Sequence, residues 1–318
     1  MTVYLGSALS VFAAFMCLLS PAAGMAQSPP EQILSAARQA LGGDAALSGV
    51  RSFVVTGRAE KDLGIGKADQ EVELACELPD RFVRRVRYNA MFGDVPSGMA
   101  RMTTQRDGFA GTSVIRETTI GGAFPPVPPS MPALPPLTPA DRTLVEQTRV
   151  LEQKHVFARL ALVLFAASPA AYPLQFSSPG PVTLPDGRTA DAVDAAGPDG
   201  VVIRLLVDAV SHLPVILTWR ERAVIATPTS VPLPRGARNS GFPPGTLVLD
   251  RPLADPTRVP FVEHVLMLSD FRRADGLNWP HRFTERVNGE VLEDTKLGKF
   301  KLNGKIPAGT FSVPGGNR

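Results

Sequence analysis

Six pairs of Asp or Asn followed by Gly recur along the chain, and several lie between segments in which apolar and polar residues alternate. Both central residues of a tight hairpin turn need a positive φ, which Asn, Asp and Gly tolerate best. Alternation with a period of two is typical of a half-buried strand. The chain is therefore predicted to form an antiparallel meander. The pairs are Asp107-Gly108, Asp186-Gly187, Asp199-Gly200, Asp275-Gly276, Asn288-Gly289 and Asn303-Gly304.

The clearest alternation lies in residues 71–80, EVELACELPD, and it continues through residues 81–88, RFVRRVRY. Apolar side chains fall on one face of this region, whereas the glutamates of the first segment fall on the other. This pattern predicts an antiparallel strand with one buried face. One charged residue, Arg84, shares the apolar face. The apolar row consists of Val72, Leu74, Cys76, Leu78, Phe82, Val86 and Tyr88.

A helix is predicted near the N-terminus, where Ser28, Pro29 and Glu31 form a capping-box pattern with Ser28 as the N-cap. Apolar residues then recur at helical spacing, and Gly42 is expected to end the helix. The residues on its apolar face are Ile33, Leu34, Ala37 and Leu41.

A second helix is predicted to begin at Thr138-Pro139-Ala140-Asp141 and to end at Ser168-Pro169. Its residues 156–167, VFARLALVLFAA, are apolar almost all round, and only Arg159 is charged. Such a helical segment must be buried. Its length of ~18 Å is less than the thickness of the hydrocarbon core of a bilayer. We expect it inside the curve of the sheet. Arg159 is expected at the rim, because burying an unpaired charge costs several kcal/mol.

These elements predict an α+β fold, with a strongly curved antiparallel sheet (an incomplete β-barrel), an N-terminal helix and a central plug helix. No internal repeat is evident, so residues 27–318 are interpreted as a single domain. Two Pro-rich insertions lie at 123–139 and 227–260. Because proline has no backbone N–H to donate to a neighbouring strand, both insertions are expected to run as extended loops. They are interpreted either as surface insertions or as flaps or docking segments.

Residues 1–26 have the pattern of a secretory signal peptide. An apolar run at residues 8–19 is followed by Pro21 and by small residues at Gly24 and Ala26, so cleavage is expected after Ala26. The protein is therefore predicted to be exported to the periplasm. Cleavage removes Cys17 and leaves Cys76 alone, which excludes an intramolecular disulfide in the mature chain.

Motifs that would indicate an enzyme are not present in the sequence. The chain has no HExxH motif, no GxSxG nucleophile elbow and no phosphate-binding glycine pattern, and its four histidines are not spaced for a metal. A net charge of +3 without basic clusters argues against nucleic acid. Residues 270–283, DFRRADGLNWPHRF, look most like an active site, but Asp275-Gly276 indicates a hairpin turn. No catalytic residue, metal or cofactor is predicted.

Short motifs along the mature chain resemble those of one known family. They are the run from Leu78 to Phe82 (LPDRF), Asp107-Gly108, residues 207–219 (VDAVSHLPVILTW) and residues 310–314 (TFSVP). In this order, with a signal peptide and a plug helix, the chain resembles the periplasmic lipoprotein-carrier superfamily with the LolA/LolB-like fold. The resemblance is to its outer-membrane lipoprotein-sorting-like relatives in particular.

The resemblance implies an incomplete β-barrel whose apolar concave face takes acyl chains, with helices as a lid. The expected function is non-enzymatic binding of an apolar ligand, such as a lipid, an acyl chain or a lipoprotein, in maintenance of the cell envelope. Peripheral membrane contact and an envelope protein partner are also compatible with it. Arg84 is the candidate for contact with a ligand head group. The other candidate lining residues are Leu74, Cys76, Phe82, Val86, Leu160, Leu164 and Phe165.

Two alternative functions remain open at the level of sequence. In the first, the plug helix fills the cavity permanently, and the protein is a structural or interaction protein of the envelope. In the second, the protein is an envelope hydrolase whose site is assembled from residues distant in sequence. A pocket too small for an acyl chain would favour the first, and a pocket that joins a His to a carboxylate and a Ser would favour the second.

Overall fold

The computed structural model describes residues 28–64, 66–90, 101–121, 138–226, 244, 246–248 and 259–313. The predicted signal peptide and most of both Pro-rich insertions lie outside the described residues. Within them, no helix is both long enough and apolar enough to cross a bilayer.

A curved antiparallel sheet of thirteen strands forms the frame of the described part of the chain. The strands are β1 (Ser52–Asp62), β2 (Lys67–Glu77), β3 (Arg81–Ala90), β4 (Arg101–Ala110), β5 (Ser113–Ile120), β6 (Gln175–Thr183), β7 (Thr189–Ala196), β8 (Val202–Asp208), β9 (Pro214–Arg222), β12 (Phe261–Ala274), β13 (Leu277–Val287), β14 (Glu290–Leu297) and β15 (Lys301–Leu302). Their order in the sheet is β5-β4-β3-β2-β1-β14-β13-β12-β9-β8-β7-β6, with β15 paired to β1. Two further short strands, β10 (Val224–Ala226) and β11 (Thr246–Val248), pair with each other in parallel.

The sheet is open, as the sequence predicts, because β5 and β6 are the two ends of the pairing order rather than partners of each other. The C-terminal strands return to the centre, where β14 pairs with β1. The N-terminal and C-terminal halves of the sheet therefore share one concave face.

Two of the Asx-Gly pairs make the tight turns of the C-terminal hairpins. Asp275-Gly276 joins β12 to β13 with φ values of 52° and 83°, and Asn288-Gly289 joins β13 to β14 with φ values of 49° and 85°. The hairpin predicted for residues 270–283 is thus confirmed. These positive φ values explain why Asx and Gly occupy both turns.

The turn predicted at Asp107-Gly108 is wrong, because both residues lie inside β4. The β4–β5 turn contains Gly111 instead, which has a φ of 60°. Gly108 is needed for a close approach of two strands. A Cβ atom at this position would lie 2.0 Å from the carbonyl oxygen of Phe82.

The N-terminal helix α1 (Pro30–Leu41) buries the four apolar residues predicted from its spacing. Its start differs from the prediction, because Pro29 is the N-cap and no side chain caps the helix. A five-residue helix α2 (Asp44–Ser48) follows and leads into β1.

The central helix α3 (Pro139–Phe165) is the plug that the sequence predicts. Thr138 caps it through a capping box with Asp141, as expected. Its C-terminal half is buried against the sheet, and Leu164 is fully buried. The indole Nε1 of Trp279 donates a hydrogen bond of 2.7 Å to the carbonyl of Leu164, which ties the end of α3 to β13. The first three turns are exposed, and Leu144 is 63% exposed.

Candidate functional site

A cavity of about 470 Å³ lies between the middle of α3 and the concave face of the sheet. This volume is within the range of ~300–1,000 Å³ that is usual for small-molecule sites. Its walls come from α3 and from strands of both halves of the sheet. Apolar residues in the lining include Val72, Leu74, Phe82, Leu160, Leu266 and Phe283. Charged residues in the lining include Lys61, Arg84, Arg159, Glu221, Glu285 and Glu293.

Strand register explains how β2 and β3 contribute to this lining. Leu74 is paired with Arg84, and Cys76 is paired with Phe82. Directly paired residues point to the same face of a sheet. The face shared by Arg84 and its apolar neighbours is therefore the concave one, as the alternation predicts.

Arg84 is held in the cavity by a carboxylate from the other half of the sheet. Its Nη2 donates a hydrogen bond of 2.6 Å to Oε1 of Glu293, which also accepts one of 2.7 Å from Thr295 Oγ1. Lys61 Nζ lies 3.7 Å from the other oxygen of Glu293. Burial raises the pKa of Glu293, but the charges of Arg84 and Lys61 outweigh burial, so that the pKa is lowered overall. Two cations thus contact Glu293, while Asp107 and Glu285 are the cross-strand partners of Arg84 and Glu293 in the same lining.

A second charged group lies next to the first on β13, β12 and β9, because its Glu285 is paired directly with Glu293. His264 stacks on Trp219 with a centroid distance of 5.0 Å and an interplanar angle of 19°. Its Nδ1 lies 2.7 Å from Oε1 of Glu285, and its Nε2 lies 3.9 Å from Oε2 of Glu221. The imidazole therefore sits between two carboxylates and against an aromatic wall.

Four of the eight candidate lining residues predicted from the sequence line this cavity, namely Leu74, Phe82, Arg84 and Leu160. The other four are not part of the lining and lie in the packed interior. They are Cys76, Val86, Leu164 and Phe165. Two of these pack at the closed end of α3, where Phe165 contacts the ring of Trp279 at 5.6 Å and Leu164 accepts the indole hydrogen bond.

The C-terminal strands contribute lining residues that were not predicted from the sequence. Trp219, His264 and Leu266 line the cavity from β9 and β12, and Phe283 and Glu285 line it from β13. Glu221 also lines the cavity from β9, so that each of these three strands contributes two residues at a spacing of two. This alternation was the signal available in the sequence. In the active-site-like stretch, Trp279 and His281 share a buried face, and His281 Nδ1 lies 3.2 Å from the carbonyl oxygen of Leu297.

Another cluster of titratable groups joins α3 to the turn between β7 and β8. His155 Nε2 lies 2.7 Å from Oδ2 of Asp199, and the hydroxyl of Tyr172 donates a hydrogen bond to Oδ1 of the same carboxylate. The three members of the cluster include no Ser, Thr or Cys, and their contacts link α3 to the turn between β7 and β8. Across the described ranges, no group of three or more His, Cys, Asp or Glu is placed to hold a metal ion.

No family model matches the chain, and no curated protein does. Solved structures do match it. A LolA superfamily protein from Nitrosomonas europaea matches with 12% identity and a TM-score of 0.43, over 90% of this chain and 98% of that chain. An outer membrane lipoprotein-sorting protein domain from Vibrio parahaemolyticus matches with 8% identity and a TM-score of 0.43, over 89% and 97%. A DUF1329 family protein from Desulfovibrio piger matches with 7% identity and the same TM-score, over 90% and 98%. The first two are proteins of the kind that the sequence resembles.

Proposed function

We propose that this chain is a non-enzymatic binding protein of the periplasm that takes the apolar part of an amphipathic ligand into the α3 cavity. The ligand class is a lipid, an acyl chain or the acyl group of a lipoprotein, and the role is maintenance of the envelope. The single observation that carries the proposal is the cavity of about 470 Å³ that remains beside the plug helix.

The lining supports an apolar ligand because carbon-rich side chains come from both halves of the sheet and from α3. Burial of a methylene group contributes about 0.8 kcal/mol. A twelve-carbon chain therefore supplies a gross driving force of ~10 kcal/mol, before losses to ordering and helix displacement. This driving force does not depend on the chemistry of a particular head group.

The charged wall supports an amphipathic ligand rather than a plain hydrocarbon. The cavity lining contains four carboxylates (Asp107, Glu221, Glu285 and Glu293) and four Lys or Arg side chains (Lys61, Arg84, Arg116 and Arg159), so its charge is balanced, and Arg84 and Lys61 are the cations beside Glu293. An anionic head group at this wall would gain charge-assisted hydrogen bonds from Arg84. The acyl chain would then extend along Leu74 and Leu160.

Export, the single domain over residues 27–318 and the non-enzymatic role are parts of the same proposal. Export is supported by the signal-peptide pattern of residues 1–26. The non-enzymatic role is supported by the absence of catalytic motifs from the sequence. The cavity lining includes His264 beside Glu285, but no Ser or Cys is among its described residues.

The alternative is an interaction protein of the envelope whose helix never leaves the cavity. It is favoured by the exposed first turns of α3, where Leu144 is 63% exposed on a helix that is otherwise buried. In that case the cavity is a packing defect, and a partner covers the exposed turns.

The test is binding of a fluorescent fatty acid to the mature protein, together with mass spectrometry of organic extracts from the periplasmically purified protein. Leu160→Trp adds an indole to the cavity and should lower affinity at least tenfold, whereas Leu144→Trp makes the same change on the exposed part of α3 and should not. Stoichiometric lipid in the extract would support the proposal. Extracts without lipid, together with no binding by the parent protein, would favour the interaction protein.

A further inference from the structure

One carboxylate of the cavity lining, that of Glu285, has no Lys or Arg partner among the residues that the structure describes. Its Oε1 lies 2.7 Å from Nδ1 of His264 instead. The Glu285 side chain is 24% exposed, so it can still be reached by a ligand. The other three lining carboxylates each contact a Lys or Arg side chain, namely Glu293 with Arg84 and Lys61, Glu221 with Arg159, and Asp107 with Arg116.

Two cations lie next to Glu285 and share a single carboxylate. Glu285 is paired directly with Glu293 across β13 and β14, which places their Cβ atoms ~5 Å apart on one face of the sheet. Glu293 is in turn paired directly with Lys61 of β1, and it accepts the hydrogen bond of 2.6 Å from Arg84. A carboxylate without a Lys or Arg partner is therefore the neighbour of a carboxylate that has two.

We propose that the cavity selects a head group with both charges, a phosphate ester joined to a primary ammonium group, as in an ethanolamine phospholipid. This inference rests on the proposed function, because it names the head group of the amphipathic ligand. The phosphate accepts charge-assisted hydrogen bonds from Arg84 and Lys61. The ammonium donates to Oε2 of Glu285, which accepts no hydrogen bond from another described residue. A zwitterion keeps the balance of charge in the lining, whereas an anion would add a negative charge beside Glu285.

A primary ammonium fits this site better than a quaternary one. A primary ammonium has N–H groups to donate to carboxylate oxygens, whereas a quaternary ammonium has none and is held mainly by aromatic rings. The guanidinium carbon of Arg159 lies 4.3 Å from the ring centroid of Trp219, and His264 stacks on the same indole at 5.0 Å. Side chains of the protein already occupy this aromatic surface, so the carboxylate of Glu285 is the group that receives the ammonium.

The test is displacement of the fluorescent fatty acid from the mature protein by single-chain phospholipids. Lysophosphatidylethanolamine, lysophosphatidylglycerol and lysophosphatidylcholine with the same acyl chain are compared, all below the concentrations at which they form micelles. The parent protein should bind the ethanolamine lipid about tenfold more tightly than either of the other two. Equal affinities for the ethanolamine and glycerol lipids would overturn the proposal.

Glu285→Gln removes the charge and keeps the shape of the side chain. The variant should bind the ethanolamine lipid about tenfold more weakly and the glycerol lipid at least as tightly as the parent does. Retained binding of the glycerol lipid also shows that the variant is folded, and the preference of the parent decides the question if it is not. Glu263→Gln, at an exposed position of β12 that points away from the cavity, is the control and should bind as the parent does. Equal losses for both lipids in folded Glu285→Gln would contradict the role of Glu285.

Failure of the proposed function gives a different result from failure of head-group selection. In the first case the fluorescent fatty acid does not bind the parent and the organic extracts hold no lipid, which overturns both proposals. In the second case the fatty acid and all three phospholipids bind with similar affinity. That result would support the cavity as a lipid site and overturn only the selection of an ethanolamine head group.

Discussion

Arg159 of α3 and Glu221 of β9 form an ion pair of 2.6 Å across one wall of the cavity. The guanidinium carbon of Arg159 also lies 4.3 Å from the ring centroid of Trp219, whose Nε1 donates a hydrogen bond of 2.9 Å to the same carboxylate oxygen. The Arg159 side chain is only 14% exposed, which is deeper than the rim position expected from the sequence. Burial is tolerated because the charge is paired and stacked.

Arg159→Leu should lower the free energy of unfolding by about 1–2 kcal/mol. The substitution removes a cation that pairs α3 with β9, and it leaves Glu221 with the indole N–H of Trp219 and the more distant imidazole of His264. The effect is limited because Glu221 is 45% exposed and is partly screened by water. Urea denaturation followed by circular dichroism measures it.

The matched control is Arg149→Leu, which makes the same change on the exposed part of α3. Arg149 lies almost three turns before Arg159 and is exposed. Similar losses in the two variants would mean that helix propensity, and not the pair with Glu221, causes the change.

The local features of the fold could be predicted from the sequence because they depend on residues close together in the chain. The pairing of Leu74 with Arg84 follows from the alternation of apolar and polar residues in β2 and β3, which are joined by one short turn. The burial of Leu164 follows from an apolar surface that extends around α3. The pairing of Gly57 with Leu297 could not be predicted in this way, because no local pattern identifies the partner of β1.

The same limit explains why half of the predicted lining residues lie elsewhere. The alternation of side chains along β2 places Cys76 on the concave face, but it does not show how far along the strand the cavity extends. Trp219 and His264 come from strands that are joined to β1 and β2 in the sheet through the pairing of β14 with β1. Prediction of their positions therefore requires the long-range topology as well as the periodicity.

Leu164→Asp should destabilise the fold by at least ~4 kcal/mol. Leu164 is fully buried at the end of α3 as part of the hydrophobic core cluster, so an ionised carboxylate there would be removed from water among apolar side chains. The melting temperature of the mature protein measures the effect. Leu144→Asp is the control on the same helix, because Leu144 is 63% exposed and should tolerate the change. Unchanged melting of Leu164→Asp would show that α3 is not part of the core.

The stability of the protein should fall on the acid side partly through Glu293. Arg84 and Lys61 lower its pKa in the folded state from an ordinary value of 4.5, despite the opposing effect of burial. A lowered folded pKa contributes stability that is present above the unfolded pKa and is lost as pH falls through the folded pKa. Acidification below pH 4.5 should therefore destabilise the protein.

Glu293→Gln isolates this contribution. At neutral pH the variant should be about 1–3 kcal/mol less stable, since Arg84 loses its charged partner. On acidification it should lose less stability than the parent does. Glu31→Gln, at an exposed position of α1, is the control and should follow the parent at every pH. Parallel acid curves for Glu293→Gln and the parent would contradict the assignment.

Cys76 should be unreactive in the folded protein, although it is the only thiol left after removal of residues 1–26. It is fully buried, and burial, with a smaller effect of Glu77, raises its pKa from 9.0 to about 12. Because the thiolate is the nucleophile, a disulfide reagent at pH ~8 should label no thiol in the native mature chain and one thiol in urea. Ser269→Cys, at an exposed position of β12, is the positive control and should react at once.

The labelling rate of Cys76 also reports whether the pair between Arg159 and Glu221 holds α3 on the sheet. Cys76 lies on the concave face beside Phe82, whose ring contacts Phe157 of α3 at 5.9 Å. Displacement of α3 would expose this region. Arg159→Leu should therefore speed native-state labelling of Cys76 by about the factor that its loss of stability implies, which is ~5–30-fold for 1–2 kcal/mol. A rate equal to that of the parent would mean that α3 is held by its apolar contacts alone.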